Sequence, residues 1–174
     1  MADARGPLMM VQAGRLISLR LRASEAAHLE RLAPGLSQLG LCCHMPADWA
    51  GEQLLWLRLG PDEWWCWWAQ GRPAQAAGLM QALAQPLAGV HHACVDLSDG
   101  QQALRLTAPA RPLLSTGSDL DVEHLPENLA TRTRLAGFTV VLAAQGQGLL
   151  IWVEASLSLS LQQWLERAAE AISG

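Results

Sequence analysis

The chain has 174 residues, of which 51% are hydrophobic and 16% charged, with a formal net charge of −4. That hydrophobic content suffices for a packed core and excludes a disordered chain, and the absence of a basic block argues against a nucleic-acid partner. All twelve basic side chains are arginine, which also excludes Schiff-base and P-loop chemistry built on lysine.

A charged fraction below the usual quarter or so favours a surface covered in an assembly. No apolar run approaches the ~20 residues that span a bilayer, and the opening residues lack a signal h-region, so no membrane association and a cytoplasmic location are expected. The four cysteines, Cys42, Cys43, Cys66 and Cys94, show no C-x-x-C or disulfide-framework spacing and sit among apolar neighbours, as buried reduced thiols do.

Residues 1–14 read as a tail. Residues 15–22 alternate, with Ile17, Leu19 and Leu21 on one face and Ser18, Arg20 and Arg22 on the other, which predicts a strand. Ser24 caps a predicted helix to about Leu32, ended by Pro34-Gly35. A short strand is expected over 39–45 and a loop carrying Trp49 over 46–51. Residues 52–59 form a strand, Gly60-Pro61-Asp62 turns the chain, and 63–68 return as the second arm of a hairpin. From Ala74 the apolar positions Ala76, Met80, Leu83 and Leu87 recur at helical spacing.

Residues 91–97 alternate again, Asp99-Gly100 is a turn signal of the kind that closes hairpins, and 103–107 form the expected returning strand. Thr107, Pro109 and Gly117 are placed as cap, first turn and stop of a short helix. Residues 118–130 read as a loop. Strands follow over 131–135, 138–144 and 149–154, with Gly146 and Gly148 at the last turn. Ser156 or Ser158 opens a final helix with Leu157, Leu161, Trp164, Leu165 and Ala168 as its apolar stripe.

The order strand–helix–strand–strand–helix thus occurs twice. It predicts an α+β fold in a single domain, 15–174, made of two pseudo-repeated halves, 15–89 and 90–174. Five stretches together resemble one known family: LRLGPDEWW at 57–65, the D-L-S of 96–98, ALRLTAPARPLL at 103–114, TRTRLAGFTVVLAAQG at 131–146, and the ending LLIWVEASLSLSLQQWLERAAE. In their order and spacing, over roughly 15–172, the chain resembles the folate-binding-domain superfamily of the aminomethyltransferase. More closely, it resembles the gamma subunits of heterotetrameric sarcosine oxidases.

Among residues that could carry chemistry, Trp64-Trp65-Cys66-Trp67-Trp68 is the densest feature. On a strand, Trp64 and Trp68 share one face and Trp65 and Trp67 the other. Burial of both faces in the chain's own core, docking of one pair on a partner subunit, and stacking of a pterin or flavin ring are the three alternatives. Asp96 and Ser98 match the family's D-x-S pattern. They are candidates either for satisfying turn amides or for a vestigial folate contact. His91 and His92, as strand neighbours, point to opposite faces and cannot share a metal, and His28, His44 and His124 are isolated. No nucleophile elbow, carboxylate pair or dinucleotide fingerprint is present, so no catalytic, cofactor-binding or metal residue is expected.

The resemblance implies an auxiliary subunit of a complex that oxidatively demethylates sarcosine or a related N-methyl amino acid. It implies alpha-, beta- and delta-type partner subunits holding flavins, NAD and tetrahydrofolate. The alternative from another class is a stand-alone folate-binding one-carbon protein of the same superfamily.

Overall fold

The computed structural model describes residues 9–173, apart from 50, 108–109, 122–123 and 147. It is an α+β structure of ten strands and three α-helices among those residues, in two five-stranded antiparallel sheets. The chain divides into two compact units, Ala13–Asp99, and Met1–Gln12 with Gly100–Gly174. The expected boundary at 89/90 therefore moves to 99/100.

The Ala13–Asp99 unit holds β2 (Arg15–Leu21), β3 (Cys43–Trp49), β4 (Glu52–Arg58), β5 (Glu63–Trp68) and β6 (His92–Asp96), in the order β3-β4-β5-β2-β6. The expected helix after β2 is a 3-10 helix, Ala23–Arg31. The chain breaks beyond it, where the Glu30 carboxylate accepts bonds from the Gly35 amide (2.6 Å) and the Ser37 hydroxyl (2.6 Å). β3 runs through Pro46 as far as Trp49, where the sequence suggests a loop. As the outermost strand it tolerates a residue without an N–H. Helix α1 (Pro73–Ala84) starts with proline at its first position, and Gln75 reaches back to accept the Arg72 amide.

One sheet face forms this unit's core. Ile17, Leu19, Leu21, Trp56, Trp64, Cys66 and Trp68 pack with Leu29 and Leu36, and with Leu79 and Leu83 of α1. The other face carries Leu16, Leu55, Leu57, Trp65 and Trp67, all buried too.

The second unit holds β1 (Met9–Gln12), β7 (Gln101–Leu106), β8 (Ala130–Leu135), β9 (Phe138–Gln145) and β10 (Gly148–Glu154), in the order β1-β7-β10-β9-β8. Residues 9–12, expected in a tail, instead pair with β7, Met9 opposite Leu106 and Gln12 opposite Ala103. β6 and β7 lie in different sheets, so Asp99-Gly100 is a crossing between sheets and not the tip of a hairpin. Turn residues fix a change of direction but not the partner of the strand that follows.

The core of this unit gathers Leu104, Leu106, Val140, Leu142, Leu149, Ile151 and Val153 from the sheet. Helix α2 (Ala110–Ser115) adds Leu113 and Leu114, and α3 (Ser158–Ser173) adds Leu161 and Leu165. Of the two serines considered for the last helix, Ser158 begins it, after a 3-10 turn at Ala155–Leu157. Leu157, expected in its apolar stripe, is exposed. Pro109 lies outside the described residues. No described helix is long and apolar enough to cross a membrane.

Candidate functional site

The polar centre of the first unit lies where β6 ends against the start of β2. The antiparallel register sets Asp96 opposite Ile17, and the chain then bends at Leu97-Ser98. One Asp96 carboxylate oxygen accepts the Ser98 amide (2.9 Å) and the Ser98 hydroxyl (2.5 Å). The other accepts Arg15 Nη2 at 2.8 Å. The Ser98 hydroxyl oxygen in turn accepts the Leu16 amide (2.8 Å), carrying the β2–β6 ladder one rung further. The Arg15 side chain is only 10% exposed, and its Nη1 lies 3.7 Å from the fully exposed Asp99 carboxylate.

Partial burial works to raise the Asp96 pKa. The Ser98 hydroxyl, Arg15 and the Ser98 amide outweigh it, and the group is held below the usual aspartate value. A carboxylate held ionised with both oxygens engaged is a weak proton acceptor and a good fastener. Cys94, two positions before it on β6, has its thiol pushed up to about 11 by burial and by the Asp96 charge, which keeps it protonated at neutral pH.

The structure brings Asp96 and Ser98 together as the D-x-S spacing suggests. It adds Arg15, which no local pattern reveals because it lies 81 positions away.

The four candidate interface tryptophans lie on β5, the neighbour of β2, with Trp68 opposite Arg15. Trp64, Trp65, Trp67 and Trp68 are between 0 and 5% exposed in the chain by itself. The Arg58 guanidinium stacks 5.3 Å above the Trp64 ring. Burial of all four cysteines is corrected in part: only Cys66 is enclosed, while Cys42, Cys43 and Cys94 are intermediate, and all four are free thiols.

His92 Nδ1 lies 2.9 Å from the Val90 carbonyl. His91 instead lines a surface hollow of about 250 Å³ with Arg20, Leu21, Arg22, Asp62 and Ala93. Among the described residues no three His, Cys, Asp or Glu side chains gather as a metal site.

No family model matches the chain, and no curated protein does. Solved structures do. A chain of the heterotetrameric sarcosine oxidase from Corynebacterium sp. U-96 superposes with a TM-score of 0.77 at 24% identity, covering 99% of this chain and 90% of that one. The glycine cleavage system aminomethyltransferase T from Bartonella henselae superposes at 0.74 with 16% identity, covering 90% of this chain but 44% of its own length. The fold is therefore that of these two proteins, as the sequence resemblance implies.

Proposed function

We propose that this chain is the auxiliary, gamma-type subunit of a cytoplasmic sarcosine oxidase-type complex. In this reading it partners alpha-, beta- and delta-type chains that carry flavins, NAD and tetrahydrofolate. The complex converts N-methylglycine, or a related N-methyl amino acid, to glycine and forms hydrogen peroxide. The one-carbon unit passes to tetrahydrofolate or leaves as formaldehyde.

The supporting observation is coverage. This chain and a chain of a heterotetrameric oxidase match over nearly all of both, so the two are of similar length and fold. The aminomethyltransferase, by contrast, extends well beyond the shared part.

The chemistry of the best polar site fits an auxiliary role. Asp96 and Ser98 are consumed by each other, by Arg15 and by the Leu16 amide. On this reading Asp96 and Ser98 fasten strands and contact no folate. The likeness to the aminomethyltransferase fold supports the second reading, a folate-binding module acting alone.

A tagged chain recovered from its native host tests the choice. The proposal expects co-purification of larger chains, flavin absorbance in the eluate, and peroxide formation on adding sarcosine. A colourless single chain that binds tetrahydrofolate would favour the second reading.

A further inference from the structure

The four outer strands of the two sheets are β3, β6, β1 and β8. An unpaired edge is a template for another strand, and proteins guard it with proline, outward charge or shortness. β3 carries Pro46 and the exposed Asp48, β8 carries the exposed Arg132 and Arg134, and β1 is only four residues long. β6 has none of the first two devices on its outward side: Ala93 is exposed and Val95 is 50% exposed, beside His91.

The bonding pattern shows which backbone groups are available. The Leu97 amide donates to the Leu16 carbonyl at 2.8 Å, and antiparallel pairs alternate between bonded and non-bonded. Val95 and Ala93, opposite Ser18 and Arg20, therefore bond to β2. The amides and carbonyls of His92, Cys94 and Asp96 point away from it, and no other described strand pairs with them.

Charge is distributed along the same edge. At the His91 end the charges balance: Arg20 pairs with Asp62 (3.4 Å) and the buried Glu63 (3.1 Å), and the exposed Arg22 offsets the second carboxylate. At the other end Asp99 is 98% exposed. The edge thus offers a neutral end, an apolar middle and an end where Asp96 and Asp99 outnumber Arg15.

We propose that the free edge of β6 is where this chain receives an extended segment of a partner subunit as an added strand. That segment would be apolar in its middle and basic near Asp99. This inference rests on the subunit reading above.

The test uses full-length tagged chains, wild type and Val95→Lys, with Ala93→Lys as a second variant. Both new side chains start from exposed positions, so melting temperatures should match wild type. Wild type should elute in a flavin-containing complex in which the amides of His92, Cys94 and Asp96 exchange with deuterium at least about tenfold more slowly than in the free chain. The variants should elute folded, colourless and alone.

Lysine variants that stay in the yellow complex, or unchanged exchange at those three amides, would overturn the edge while leaving the subunit reading intact. Wild-type chain that recovers no flavin-containing partner would overturn both. Protection of the same amides in a dimer of this chain alone would assign the edge to a second copy instead. Should both variants misfold, the exchange measurement on wild type decides.

Discussion

The two sheets have the same strand order reached by different routes of the chain. Taken from one edge, the first runs β3-β4-β5-β2-β6 and the second β8-β9-β10-β7-β1. β2 corresponds to β7, each followed by a short helix, and β5 corresponds to β10, each followed by a longer one. Only the fifth strand breaks the repeat. In the first unit β6 follows α1 along the chain, whereas in the second the place beside β7 is filled by β1, from before β2. A sheet of this kind needs a neighbour for its second central strand, and either flank of the repeat can supply it.

Packing differs too. The inner positions of β5 are Trp64, Cys66 and Trp68, while those of β10 are Leu149, Ile151 and Val153. Large flat rings on one side and branched aliphatics on the other should make the first core the more sensitive to truncation. Trp64→Ala is expected to destabilise the chain by about 3–5 kcal/mol and Ile151→Val by about 0.5–1.5 kcal/mol, read by urea unfolding. Equal losses would mean the two cores respond alike despite their different fillings.

The Arg15–Asp96 fastening at the β2–β6 junction gives the first unit a pH handle. Asp96→Asn should cost about 1.5–3 kcal/mol at neutral pH, the usual range for a bond to a charged group. The sign follows from the depressed pKa. The native carboxylate holds its proton more weakly than the unfolded one, so its stabilisation is complete above the ordinary value of 3.8 and fades as the pH falls through the folded value. The gap between wild type and variant should therefore close in acid, and a gap that widened there would contradict the ionised assignment.

Each unit also seats a tryptophan ring on a glycine. A Cβ at Gly14 would come within 2.6 Å of Trp67 Cζ2, and one at Gly117 within 2.5 Å of Trp164 Cη2. Alanine at either should cost about 1–3 kcal/mol by overpacking. Trp164 is only half-buried and can yield, whereas Trp67 is enclosed, so Gly14→Ala should lower the melting temperature more.

The smallest effect runs the other way. The β8–β9 turn holds Ala136 at φ 51° and Gly137 at φ 86°, a two-residue loop with both centres left-handed. Ala136→Gly relieves a conformation that costs a side chain about 1–2 kcal/mol, offset in part by the entropy of glycine. A net gain of a few tenths of a kcal/mol is expected in chemical denaturation.

Local pattern located nearly every strand, because alternation of Ile17, Leu19 and Leu21 or of Leu104 and Leu106 records which face is wet. It did not reveal pairing. Asp99-Gly100 has the composition of a hairpin tip yet joins two sheets, since a turn dipeptide sets direction and long-range burial chooses the neighbour. Residues 9–12 are too few to show a period, and Pro46 disguised an edge strand as a loop. In the site, Asp96 and Ser98 were legible because their bond spans two residues. Arg15 was not, and neither was the free edge of β6, whose openness depends on what the rest of the sheet leaves uncovered.

The subunit reading is tested most directly by native mass spectrometry of the tagged chain purified from its host. The account predicts an assembly containing this 18.8 kDa chain together with larger chains and bound flavin. An 18.8 kDa species alone, or a multiple of that mass without flavin, would contradict it.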